Sequence, residues 1–168
     1  MEVAIDINYA GLKPCPTDLD CPPPEADGTK GKWDLERGRI LIVDSDNKSA
    51  KELFALFVDE EYDIEMSGCF SDAVDMVKNI RFDCVIMDVN LPDMKGYEAA
   101  HIMKTIDPQI QLIMTTDQNT MELETKVRQQ DIFYYYIKSF DPQELKLAVL
   151  GAFERAERLK KMPNRRGI

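Results

Sequence analysis

Long apolar runs are missing from this chain of 168 residues, and no stretch approaches the length needed to cross a bilayer. A basic opening is missing too. Met1-Glu2-Val3-Ala4-Ile5-Asp6 places an acid at the second position and has no positively charged n-region, which argues against a secretory signal. Positive charge is scarce throughout: Lys and Arg number 21 against 31 Asp and Glu, for a formal net charge of −10. A chain of that sign lacks the basic face with which a nucleic-acid binder displaces counterions. The basic residues that gather near the end are Arg155, Arg158, Lys160, Lys161, Arg165 and Arg166. They read as favourable charge at a helix C-terminus, followed by a solvated basic tail over 162–168. Cysteine is sparse as well. Cys15, Cys21, Cys69 and Cys84 form no CxxC pair and no metal-site spacing. Cys69 and Cys84 fall in segments that read as folded, where a buried thiol acts as a small hydrophobe. These absences make neither a membrane nor nucleic acid the expected partner, and they favour a reducing cytoplasm.

What is present is an ordinary soluble composition, 44% hydrophobic and 31% charged, at a length that suits one domain and a modest appendage. Residues 1–37 stand apart as a proline-rich, flexible leader. Pro14-Cys15-Pro16 and Cys21-Pro22-Pro23-Pro24 exclude helix and central strand, and Trp33 offers at most a local packing point. From Gly38 to Lys161 the pattern becomes regular. Ile40–Val43 and Cys84–Met87 are short, continuous apolar runs of the kind buried on both faces of a parallel sheet. Tyr62–Met66 alternates like an edge strand, and Gln111–Met114 and Phe133–Ile137 complete five strands. Between them lie helical spacings over Ser49–Val58, a segment capped by Ser71, Gly96–Thr105 and Thr120–Gln130. The last helix opens with Asp141 as N-cap, Pro142 at N1 and Glu144 at N3. Strands alternating with helices imply an α/β fold, a doubly wound five-stranded parallel sheet in the order 2-1-3-4-5.

In such a sheet the chemistry collects at the carboxyl ends of the strands. Asp44, Ser45 and Asp46 follow the first strand, and Asp88, Val89, Asn90, Leu91 and Pro92 follow the third. Thr115 and Thr116 follow the fourth, and Lys138 follows the fifth. Taken singly, Asp44 or Asp46 would be a helix cap, Asn90 and Pro92 turn residues, Lys138 a solvated loop residue and His101 a surface residue. Taken together they are a carboxylate nucleophile, an acidic neighbour, a lysine and a hydroxyl. Adjacent buried carboxylates need a cation between them, and oxygen donors of this kind suit Mg²⁺. The set is the one that phosphoryl transfer to an aspartate requires.

The segments Ile40-Leu41-Ile42-Val43-Asp44, Val85-Ile86-Met87-Asp88-Val89-Asn90-Leu91-Pro92-Asp93-Met94-Lys95-Gly96 and Tyr135-Tyr136-Ile137-Lys138-Ser139-Phe140 carry a family resemblance. Over Arg39 to about Lys161 the chain resembles the receiver domain of two-component response regulators, which have the flavodoxin-like fold. The resemblance implies a signalling domain rather than an enzyme, with Asp88 as phosphoacceptor, Asp44 in a Mg²⁺-binding pocket and Asn90 offering its backbone carbonyl to the metal. It implies that Lys138 holds the phosphoryl group and that Tyr135 is the switch aromatic. The switch threonine stays open between Thr115, favoured by strand register, and Thr116, favoured by counting back from Lys138. A histidine kinase or phosphotransfer protein would supply the phosphoryl group. With nothing after Lys161 to form an output domain, a downstream protein would dock on the fourth-helix to fifth-helix face.

Two positions depart from the family. Ser45 stands where a second acidic residue contacts the metal, so metal affinity should fall unless Asp46 swings in. Ser139 replaces the proline after Lys138. A cis bond before a non-proline costs about 3 kcal/mol, so a trans bond there would displace Lys138. These departures motivate a first alternative, a degenerate receiver acting as a phosphorylation-independent interaction module. A second is a haloacid-dehalogenase-like phosphatase, with Asp44 as nucleophile and Asp46 as acid in an apolar-run-then-DxD opening. It lacks that family's fourth motif and leaves Asp88, Asn90, Pro92 and Gly96 unexplained.

Overall fold

A computed structural model describes residues 38–162; the leader and the tail beyond Met162 lie outside the described residues. Elements alternate strictly: β1 Arg39–Val43, α1 Asn47–Phe57, β2 Asp63–Ser67, α2 Phe70–Asn79, β3 Cys84–Asp88, α3 Gly96–Ile106, β4 Gln111–Thr116, α4 Met121–Arg128, β5 Tyr134–Ile137 and α5 Pro142–Lys161. All strand pairs are parallel and the order is β2-β1-β3-β4-β5, as the sequence pattern predicts.

The apolar runs are continuous because the central strands are covered on both faces, and period-2 alternation divides their side chains between two cores. Leu41, Val43, Val85, Met87, Leu112, Met114 and Tyr135 pack on one side with α2, α3 and Val127 of α4. Ile40, Ile42, Cys84, Ile86, Ile113 and Tyr136 pack on the other with α1 and α5. Strands β3 and β4 are buried over their whole lengths, whereas β2 at the edge is only partly covered.

Helix starts are fixed by different devices. Asp46 caps α1, its side chain accepting from the Lys48 amide, so α1 begins two residues before the apolar spacing does. Asp141 and Pro142 open α5 as expected. Thr120, read as the first residue of the fourth helix, is instead its N-cap, and β5 starts at Tyr134 rather than Phe133. Ser71 is not the cap of α2. It lies inside the helix behind Cys69, and the first-turn amides of Phe70 and Ser71, which have no partner within the helix, donate to Oδ1 and Oδ2 of Asp93, at 3.0 and 2.8 Å. Asp93 comes from the β3–α3 loop, so a local pattern could not predict this cap.

Cys84 is a free, buried thiol whose pKa is pushed far up by burial and then by the charge of Asp83. Cys69 is also buried but disulfide-bonded, which removes one of the two thiols from which a reducing compartment was read. Among the described residues no helix is long and apolar enough to cross a membrane.

Candidate functional site

The parallel sheet brings the ends of β1, β3, β4 and β5 to one edge, and there three charged side chains meet. Lys138 Nζ lies 2.7 Å from Asp44 Oδ2 and 2.5 Å from Asp88 Oδ2, with the two carboxylate side chains 3% and 7% exposed and the lysine 11%. The cation required between adjacent buried carboxylates is therefore present within the chain itself. Ser139 after Lys138 has not displaced the lysine: the Lys138 amide donates to Thr116 O at 2.9 Å, which keeps the strand end in register and delivers the side chain to the pocket.

Every oxygen of the two carboxylates has a donor. Asp44 Oδ1 accepts from the Asp46 amide at 2.9 Å, and Oδ2 accepts from Ser49 Oγ at 2.6 Å as well as from Lys138. Asp88 Oδ1 accepts from the Asn90 amide at 2.6 Å. Burial raises the pKa of Asp88. The bonds from Lys138 and the Asn90 amide oppose that rise without cancelling it. On Lys138 burial pulls the pKa down, but its bonds to Asp44 and Asp88 outweigh burial and leave the net shift upward.

The loop after Asp88 is built for close approach. Asn90 and Lys95 form an antiparallel bridge, and the Gly96 amide donates to Val89 O at 2.9 Å. A Cβ on Gly96 would stand 2.5 Å from Asp88 O and 2.7 Å from Val89 Cα, so only glycine fits against the backbone at the end of β3.

The two threonines face opposite sides of β4. Thr115 pairs with Asp88 in register and has the parity of Ile113, toward α1 and α5; its hydroxyl is buried without a hydrogen-bond partner. Thr116 has the parity of Met114, the side on which Tyr135 packs. Its Oγ1 donates to Gln118 O at 2.9 Å and accepts from the Gln118 amide at 3.2 Å. Tyr135 is 8% exposed, and its hydroxyl donates to Asn119 Oδ1 at 3.3 Å.

Asp46 does not swing into the pocket, because its carboxylate is committed to capping α1, and Ser45 is exposed. The same commitment removes the acid that a dehalogenase-like mechanism would place beside Asp44. Sequence reasoning missed Ser49 and Asp117. Asp117 Oδ2 lies 3.7 Å from Lys138 Nζ, and its position just past β4 was the available signal. Nothing in the spacing of α1 distinguished Ser49.

For a metal, the donors are hard oxygens: Asp44, Asp88 and the Asn90 backbone. Among the described residues no three acidic, His or Cys side chains converge to hold an ion by themselves. The set still fits Mg²⁺, which takes one or two carboxylates and keeps several waters.

A doubly wound sheet with a buried, lysine-clamped aspartate at the end of its middle strand is the arrangement of a receiver-type signalling domain. The comparisons specify it further: the model of the response regulator receiver domain family matches residues 40–150, and the chain belongs to that family. It is 31% identical over 126 residues to the DNA-binding response regulator MtrA of Mycolicibacterium smegmatis, covering 74% of this chain and 54% of that protein. It is 29% identical over 116 residues to the regulatory protein AtoC of Escherichia coli, covering 69% and 25%. The chain thus spans about half the length of the first relative and a quarter of the second. Among solved structures it is similar to the signal receiver domain of an HD domain-containing protein from Pseudomonas fluorescens. That match has a TM-score of 0.73 and 26% identity, covering 76% of this chain and 94% of that one. The family is one of two-component signalling domains whose acidic pockets bind Mg²⁺ and whose members receive phosphoryl groups from histidine kinases or phosphotransfer proteins.

Proposed function

We propose that this domain is phosphorylated on Asp88 in a Mg²⁺-dependent reaction with a histidine kinase or phosphotransfer protein, and that it then signals by binding a protein partner. The observation that carries the reading is Lys138 Nζ bonded to both Asp44 and Asp88 at the end of the sheet. In the reaction Asp88 Oδ2 attacks phosphorus, the bond from phosphorus to the donor breaks, and its electron pair leaves with the donor. Lys138 then exchanges a carboxylate oxygen for a phosphoryl oxygen, which lets it hold the product without moving far. Bound Mg²⁺, held by Asp44, Asp88 and the Asn90 carbonyl, would supply charge neutralisation for the phosphoryl oxygens. Ser49 keeps Asp44 oriented through its 2.6 Å bond.

Thr116 rather than Thr115 is the switch hydroxyl in this reading. It shares a face with Tyr135, so its departure from Gln118 toward a phosphoryl group would leave space that the tyrosine ring senses. The change would be read on the α4–β5–α5 face. A groove of about 440 Å³ lies there, lined in part by Glu124, Arg128, Tyr134, Phe140 and Glu144. Helix α4 buries only Val127, so it is the element most cheaply moved.

The test is incubation with acetyl phosphate, with and without Mg²⁺, followed by intact mass. A single phosphoryl adduct that depends on Mg²⁺ is expected. Its absence under all conditions would leave the domain as a phosphorylation-independent interaction module.

A further inference from the structure

Lys138 touches a third carboxylate. Asp117, the first residue past β4, places Oδ2 3.7 Å from Lys138 Nζ, the nitrogen that holds Asp44 at 2.7 Å and Asp88 at 2.5 Å. The three acids differ in exposure: the side chains of Asp44 and Asp88 are 3% and 7% exposed, whereas that of Asp117 is 71% exposed. Asp117 thus stands on the solvent side of the lysine, where an incoming donor must pass, and at 3.7 Å it attracts the ammonium without hydrogen-bonding to it.

We propose that Asp117 sets the charge selectivity of the pocket, competing with the donor's phosphoryl group for Lys138 and slowing transfer from multiply charged donors more than from singly charged ones. The proposal rests on the reading of Asp88 as phosphoacceptor. The charge balance gives the reason. With Mg²⁺ bound, Asp44, Asp88 and Lys138 would leave one positive charge to attract the donor, and Asp117 would cancel it at the moment of approach. During transfer Asp88 Oδ2 bonds to phosphorus while the donor's leaving group takes the electrons of the broken bond, so the phosphoryl oxygens carry their negative charge past Asp117. Across roughly 6 Å of water the repulsion is about RT per unit of donor charge. That corresponds to a rate penalty of roughly threefold for a singly charged donor and roughly sevenfold for a doubly charged one, reduced at physiological salt, where the screening length is about 8 Å. Asp117 is exposed and makes no hydrogen bond to the core among the described residues, so it has little structural reason to resist substitution.

The test compares adduct formation in the wild type, Asp117→Asn and Asp117→Glu, each with Mg²⁺ and either acetyl phosphate (doubly charged) or phosphoramidate (singly charged). Asp117→Asn should accelerate phosphorylation severalfold with acetyl phosphate and less with phosphoramidate, and the gain should shrink at high ionic strength. Asp117→Glu should stay near the wild-type rate. Equal rates for wild type and Asp117→Asn, or a gain equal for both donors and insensitive to salt, would overturn the proposal while leaving Asp88 in place. No adduct in any of the proteins would overturn the Asp88 reading and this proposal with it.

Discussion

Replacing Lys138 with Met removes the cation that bridges two buried carboxylates. Both acids are nearly inaccessible, and the ammonium bonds to each within 2.7 Å. Breaking a buried ion pair by deleting one partner costs about 3–5 kcal/mol, because the remaining charge is left uncompensated. For a domain of this size that corresponds to a fall in Tm of about 10–20 °C. The cost should depend on pH, and its sign follows from Asp88. Burial already raises the pKa of Asp88 in the folded state, and without Lys138 it rises further. A carboxyl whose folded pKa exceeds its unfolded value binds more protons when folded, so stability falls as pH rises from the unfolded value through the folded one and is level, at its lowest, above that. The penalty of Lys138→Met is therefore largest at alkaline pH and shrinks in acid, as Asp88 becomes neutral. Mg²⁺ should partly restore the variant, by a margin larger than its effect on the wild type, because it replaces the missing charge. Thermal melts of both proteins between mildly acidic and alkaline pH, with and without Mg²⁺, provide the assay. A variant as stable as the wild type at alkaline pH, with a pH-independent difference, would show that Lys138 does not neutralise the two buried charges.

Three further perturbations probe the frame around the pocket. Asp93→Ala should destabilise by about 1–2 kcal/mol in chemical denaturation, since two amides at the start of α2 lose a charged acceptor; Asp93→Asn should recover about half. Gly96→Ala should cost about 1–3 kcal/mol and slow phosphorylation, because the new Cβ meets backbone atoms of Asp88 and Val89 that cannot rotate away; unchanged stability would show that the loop relaxes. Ser45→Asp should tighten Mg²⁺ binding by about tenfold in calorimetry, the value for one added carboxylate about 6 Å from a divalent ion in water; no change would place Ser45 away from the metal.

The fold was legible because two of the strands are short, continuous apolar runs, which only a sheet covered on both faces accommodates. The strand ends then pointed to Asp44, Asp88 and Lys138 as one cluster. Three features were not legible, each for a physical reason. The cap of α2 comes from Asp93, more than twenty residues downstream of the amides it binds, while Ser71 carries only the local signature of a cap. The choice between Thr115 and Thr116 turns on which face of β4 each occupies, and counting residues left the register one step uncertain. The expectation that Asp46 could replace the acid missing at Ser45 overlooked a competing demand, the N-terminus of α1, which a nearby carboxylate satisfies at lower cost. The substitution of Ser139 for proline proved harmless to the placement of Lys138, because the β4–β5 ladder extends through the Lys138 amide and holds the strand end from the other side.

Locating the phosphoryl group itself tests the assignment of Asp88 most directly. After reaction with acetyl phosphate and Mg²⁺, borohydride reduction converts an acyl phosphate to homoserine, and peptide mapping identifies the residue. Homoserine is expected at position 88, with no adduct in Asp88→Asn. Modification at Asp44, or an adduct that persists in Asp88→Asn, would contradict it.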